Sequence, residues 1–135
     1  MTENAIRLER TFAHSPEAVW AALTTPELLA QWWAPGDIAP TVGHRFTMDM
    51  GNWGQQRCEV TAVEPGKSIM FIFAEGMLDT TITWELEATA SGTVLHFEHA
   101  GFNLDTPLGR QALEGMGNGW PGLLTQIDQV LVKVN

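Results

Sequence analysis

The chain has 135 residues and a formal net charge of −9 at pH 7; that is the length of one domain, spanning 1–135, and the charge argues against nucleic acid and anionic membrane surfaces, which need clustered Lys and Arg. A single cysteine, Cys58, excludes an internal disulfide, and the opening Met1-Thr2-Glu3-Asn4 has no apolar signal core, so the expected location is cytoplasmic. No run of about 18 apolar residues occurs, so no membrane span is expected.

Ile6, Leu8 and Phe12 alternate with polar residues, which predicts a first strand from about Asn4 to Ala13; Arg10 breaks the inward set. Ser15-Pro16-Glu17 then opens a helix, with Ser15 as N-cap, proline at the first helical position and a carboxylate at the positive end of the dipole. Val19, Trp20 and Leu23 form its apolar side. Thr25-Pro26-Glu27 repeats the signal and starts a second short helix carrying Leu28, Leu29, Trp32 and Trp33, which Ala34-Pro35-Gly36 ends.

Strands follow, separated by turn signals: Arg45 to Met50, Gln56 to Val63, Ser68 to Ala74, Thr80 to Ala88 and Thr93 to His99. The third of these has Ile69, Phe71 and Phe73 on one face and Met70 and Ile72 on the other, which predicts cover on both sides. Thr80 to Ala88 alternates most cleanly, with Ile82, Trp84 and Leu86 inward.

The last stretch, Thr106 to Lys133, carries the longest helical stripe of the chain. Leu113, Met116, Trp120, Leu123, Leu124, Ile127, Val130, Leu131 and Val134 recur at three- and four-residue steps. A stripe that wide has to be buried, and the sheet is its partner. The run Gly115-Met116-Gly117-Asn118-Gly119-Trp120-Pro121 predicts an interruption, because each interior glycine costs about 1 kcal/mol against alanine and proline about 3 kcal/mol. Two pieces are expected: one capped by Thr106 and begun at Pro107, and a main helix from near Asn118. The glycines read either as a joint between helices or as positions where backbone approaches a neighbour or ligand.

Chemistry-bearing residues are few. His96 and His99 lie three apart on a strand, so they face opposite sides and cannot chelate one ion; His99 faces inward, and His14 and His44 sit in connections and are expected to be solvated. Cys58 has no histidine at a readable spacing, no nucleophile elbow or phosphate cradle occurs, and Gly115-x-Gly117-x-Gly119 does not follow a strand. No metal and no cofactor is expected. What remains is aromatic and sulfur-rich surface at the ends of elements, at Trp32, Trp33, Trp53, Met77 and Trp120, the material of a small-molecule pocket.

Ser15-Pro16-Glu17-Ala18-Val19-Trp20-Ala21-Ala22-Leu23-Thr24-Thr25-Pro26-Glu27 with Gln31-Trp32-Trp33-Ala34-Pro35 resembles the opening of bacterial proteins similar to the activator of the ninety-kilodalton heat-shock chaperone's ATPase. Gly92-Thr93-Val94-Leu95-His96-Phe97-Glu98-His99-Ala100-Gly101-Phe102 and Gly119-Trp120 with Leu123 and Leu124 resemble its second half, so the likeness covers nearly the whole chain. The resemblance implies the helix-grip fold of the wider START-like (SRPBCC) superfamily of polyketide cyclases, birch-pollen allergens and lipid-transfer proteins. In that α+β fold a curved antiparallel sheet wraps around a long C-terminal helix, with two short helices after the first strand. Pro121, directly after Gly119-Trp120, departs from the usual pattern at the start of the last helix.

Such a fold serves carriers, cyclases, hydrolases and co-chaperones alike and does not choose among them. The leading expectation is binding of a small, largely apolar molecule, aromatic or lipid-like, in a cavity between sheet and final helix. Inward parity places Trp32, Met48, Phe71, Trp84, Phe97, His99, Trp120 and Leu124 around it. The alternatives are a cyclase- or hydrolase-type enzyme using His99, and a co-chaperone-like domain that binds protein through its surface.

Overall fold

The computed structural model describes residues 4–134. The elements run β1 (Ala5–Phe12), α1 (Pro16–Thr24), α2 (Pro26–Trp32), β2 (Arg45–Asp49), β3 (Gln55–Glu64), β4 (Ser68–Phe73), β5 (Thr80–Thr89), β6 (Gly92–Ala100) and α3 (Pro107–Val134). The strands form one six-stranded sheet in the order β1-β6-β5-β4-β3-β2, every neighbouring pair antiparallel. This is the α+β helix-grip arrangement, with the helices packed on one face of the sheet.

Register turns the inward parity of each strand into rows. Leu8, Phe97, Trp84 and Ile69 stand opposite one another across β1, β6, β5 and β4. The next row is Ile6, His99, Ile82, Phe71 and Val60. Against these rows lie Val19, Ala22 and Leu23 of α1, Leu29 and Trp32 of α2, and Trp120, Leu124, Ile127, Val130 and Leu131 of α3, all buried. The stripe read from the sequence is thus the core face of α3; the side chain of Val134, its last member, lies outside the described residues.

Local signals act as read at α1, where Ser15 Oγ accepts from the Ala18 N–H at 3.2 Å. Thr25 begins α2 without a side-chain cap. Thr106 Oγ1 caps α3 by accepting from Gly109 N at 3.0 Å, and a Cβ on Gly109 would collide with the carbonyl oxygen of Asn103.

Three expectations are corrected. The final helix is one piece through Gly115 to Pro121, because packing of its apolar face outweighs the propensity penalty. Arg10 strengthens the fastening at that point: its guanidinium donates to the Pro121 carbonyl at 3.0 Å and to Thr125 Oγ1 at 2.8 Å. The outer face of β4 is not covered, since no helix of the described residues lies on that side and Met70 is 37% exposed. His14 and His44 are only partly solvated: the His14 side chain is mostly buried against Asp128, 3.3 Å away, and His44 stacks over Phe46 with Asp37 O at 2.6 Å.

Two substitutions check this architecture. Leu124→Asp places an unpaired carboxylate at a position with 0% exposure and is expected to cost about 3–5 kcal/mol, read as a collapse of the thermal melt followed by circular dichroism. Gly122→Ala adds a Cβ that meets nothing within 4 Å and should raise stability by about 0.5–1 kcal/mol in urea titrations. A loss of stability there would mean the helix is not continuous through this segment.

Candidate functional site

A pocket of about 300 Å³ opens between the first half of α3 and the ends of β2, β3 and β4. Trp33 closes it from the end of α2, Met50 and Trp53 from the turn after β2, and Gln56 from β3. Phe73, Ala74, Met77 and Leu78 supply the wall beyond β4, and Leu108, Gly115, Gly119, Trp120 and Leu123 line it from α3. Among the described residues no ionisable side chain lines it, Gln56 and Gln111 being the polar members. An ion entering would lose its hydration without a countercharge.

Two tight turns build the rim. Met50 N–H donates to Gly54 O at 2.9 Å, and Gly51 and Gly54 take positive φ, 62° and 78°, where a side chain would be strained. Beyond β4 the carbonyl of Ala74 accepts from Met77, Leu78 and Asp79 at 2.9 to 3.0 Å. Ala74 and Asp79 hold φ of 61° and 51° although neither is glycine. Such conformations persist only where the surroundings over-determine them; here Asp79 Oδ1 also accepts from Gly76 N at 2.8 Å.

Behind the pocket stands a continuous aromatic cluster. Trp33 lies 5.0 Å from Trp120 and 5.7 Å from Phe73 between ring centroids; Trp120 lies 4.5 Å from Phe97, and Phe97 4.6 Å from Trp84. Trp84 meets Trp32 and Trp120 edge to face at 5.8 Å. These are the separations at which aromatic pairs attract beyond area burial alone. The Trp32 indole N–H donates to Ala22 O at 2.8 Å, while the buried Trp84 Nε1 has no acceptor among the described residues.

His99 is held by a relay. Trp120 Nε1–H can only donate, so at 3.1 Å it gives its hydrogen to His99 Nδ1. The other ring nitrogen, Nε2, therefore carries the hydrogen and donates to Thr80 Oγ1 at 2.8 Å, and Thr80 in turn donates to Phe73 O at 3.1 Å. Burial pushes the imidazole down to about 3. Both nitrogens of this neutral ring are engaged, so no lone pair is left to accept a substrate proton. On the opposite face of the sheet His96 is raised by the hydrogen bond its ring donates to the Glu87 carboxylate, with Glu9 adding to it. Burial pushes the Cys58 thiol up to about 12, which keeps it un-ionised at neutral pH.

Of the eight residues expected to line the cavity, Trp120 borders the pocket. Trp32, Trp84, Phe97 and His99 join it in the aromatic cluster; Met48, Phe71 and Leu124 are fully buried elsewhere in the core. The pocket walls are Met50 and Phe73, two residues further along the same faces as Met48 and Phe71, with Trp33 next to Trp32 and Leu123 next to Leu124. The signal for these was position: Trp33, Trp53, Met77 and Trp120 are apolar groups at the ends of elements, where strands and helices stop covering one another. Gln56 carried no such signal, whereas Gly115 and Gly119 on the pocket face of α3 belong to the glycine run whose second reading was close approach of backbone to a neighbour or ligand.

A family model described as "Activator of Hsp90 ATPase homolog 1-like protein" matches residues 13–132. Among solved structures, protein MLL2253 from Mesorhizobium loti is 35% identical with a TM-score of 0.85, the alignment covering 97% of this chain and 98% of that one. The Aha1 dimer from Colwellia psychrerythraea is 25% identical with a TM-score of 0.78, covering 97% and 96%. CalU16 from Micromonospora echinospora, 22% identical with a TM-score of 0.76 and covering 94% and 75%, shares the fold. No curated protein matches the chain. No helix among the described residues is long and apolar enough to cross a membrane.

The buried histidine makes a pH prediction. In the unfolded chain its pKa is near 6.5 and in the folded chain about 3. Between those values the unfolded state binds more protons, so His99's contribution is fully present above pH 6.5 and is lost as pH falls toward 3. Urea midpoints of wild type and His99→Gln, compared between pH 6 and 4, should differ in slope by about one proton, roughly 1.4 kcal/mol per pH unit. Parallel slopes would mean that the folded protein protonates His99 freely.

Proposed function

We propose, for a chain that belongs to the Activator of Hsp90 ATPase homolog 1-like family, that it binds a small, uncharged, largely apolar molecule in the pocket between α3 and the sheet. The observation that carries this reading is a cavity of about 300 Å³ walled by indole, phenyl and thioether groups, with no ionisable side chain among the described residues that line it. That volume is at the lower end of ligand pockets, about 300–1,000 Å³, and the mixture of apolar wall and a few polar groups is typical of them. In this reading Trp120 touches the ligand. Trp32, Met48, Phe71, Trp84, Phe97, His99 and Leu124 form the rigid floor that keeps the wall from collapsing into the cavity.

Binding without acid–base chemistry is favoured over the hydrolase or cyclase alternative by His99, whose ring nitrogens are both committed to Trp120 and Thr80. A proton acceptor needs a lone pair within reach of the reacting atom. The remaining rival is a protein-binding surface like that of a co-chaperone, for which the pocket would have no affinity of its own.

Titration with the neutral fluorophore N-phenyl-1-naphthylamine separates the two. Saturable binding with a stoichiometry near one is expected, accompanied by quenching of tryptophan emission. Trp33→Leu should weaken it by about 1 kcal/mol, roughly fivefold in Kd, the usual worth of an aromatic contact beyond its area. A linear, non-saturating titration would favour the protein-binding surface.

A further inference from the structure

We infer that the free edge of β1 is an interface between two copies of this chain, the two strands pairing antiparallel about Leu8 so that Arg7 of each copy stands opposite the partner's Glu9. No residue of β1 lines the pocket, so the inference is independent of the binding role proposed above.

The sheet has two edge strands, and they differ. Beyond β2 the chain runs back along the edge, with Gly36 bridged to Met48 and Asp49 N donating to Pro35 O at 2.8 Å. Beyond β1 no strand of the described residues follows. Asn4 O accepts from Gly101 N at 3.2 Å, and hydrogen-bonded pairs recur at every second residue of an antiparallel ladder. Ile6, Leu8, Arg10 and Phe12 therefore turn their backbone groups to β6, while Ala5, Arg7, Glu9 and Thr11 turn theirs to the edge. A strand of eight residues with such an edge is a template for another strand. Leu8 shows that α3 does not overhang it, since this side chain has inward parity yet is only half-buried.

Charge selects both the partner and the register. Two β1 strands pairing through their outward groups about Arg7 would set two guanidiniums face to face, and about Glu9 two carboxylates, both destabilising. Pairing about Leu8 sets Arg7 of each copy against the partner's Glu9 and Ala5 against the partner's Thr11, so all four outward residues find a mate. The outer face then carries one row of alternating charge across the interface. Glu98 holds Arg7 at 2.7 Å, and Glu9 Oε2 lies 3.5 Å from His96 Nδ1; pairing joins them as Glu98, Arg7, the partner's Glu9 and the partner's His96. A guanidinium has five N–H donors, so Arg7 keeps Glu98 while reaching the new carboxylate. On the inner face the two Leu8 side chains meet in a non-hydrogen-bonded pair, where side chains stand closest. The patch is self-complementary, as a two-fold interface requires.

Sedimentation velocity of the full chain, over a concentration series reaching about 1 mM, should show a monomer–dimer equilibrium. Arg7→Glu and Glu9→Arg should each weaken the dimer by roughly tenfold, since two attractive pairs become two repulsive ones. Mixing the two variants should restore association as a heterodimer, because one chain then offers two carboxylates to the two guanidiniums of the other. Both residues are exposed, and thermal melts of the variants should match wild type; if either variant folds poorly, Glu9→Gln carries the comparison, with a several-fold weakening expected. A wild-type chain that stays monomeric throughout the series overturns the inference. So does a dimer equally strong in the charge variants, or a mixture of the two that stays monomeric.

Discussion

A histidine buried between helix and sheet loses its hydration, and His99 recovers it by becoming one member of a hydrogen-bonded chain. That chain runs from the Trp120 indole on α3 through His99 on β6 and Thr80 at the start of β5 to the carbonyl of Phe73 at the end of β4. It ties the helix to three strands at one depth. Apolar packing alone tolerates sliding of a helix along a sheet; a directional bond from an indole N–H to one ring nitrogen does not. Arg10 adds a second tie from β1 to Pro121 and Thr125 a few residues further along the helix. Together they fix where α3 meets the sheet.

The position of those ties divides α3. From Trp120 onward its inward side chains are buried, whereas from Pro107 to Gly119 the only buried residue is Gly109, at the start. The core therefore ends at Trp120, and the space beyond it, under the first half of the helix, is the pocket. Trp120 belongs to both regions. Its indole N–H faces the relay and its ring borders the cavity, so the residue that anchors the helix also shapes the wall. A rigid cluster of aromatic rings on the core side keeps the cavity from filling by collapse, which in a close-packed interior is the usual fate of a void.

The same division leaves the three titratable groups with shifted pKa values away from the pocket lining. His99 is neutral and saturated with hydrogen bonds, Cys58 is held un-ionised by burial, and His96 lies on the outer face among carboxylates. None of them lines the pocket. The site's character comes from shape and polarisable surface, with an amide as its buried polar group.

Periodicity alone determined the architecture: the order of strands and helices, the inward parity of Ile82, Trp84, Leu95 and Phe97, and the core face of α3 all followed from steps of two and of three or four residues. Parity also separated His96 from His99. It could not say how far along each strand the core extends, because every residue of one parity is equivalent until another element ends above it. For that reason the expected lining fell on Met48 and Phe71, in the packed middle, while the walls are Met50 and Phe73 at the open end. Local propensity likewise predicted a broken helix at Gly115 to Pro121, and the burial of Trp120 and Leu124 with the ties to His99 and Arg10 kept it whole. Where the helix stops being covered is a property of the assembled layers, and tertiary structure alone decided it.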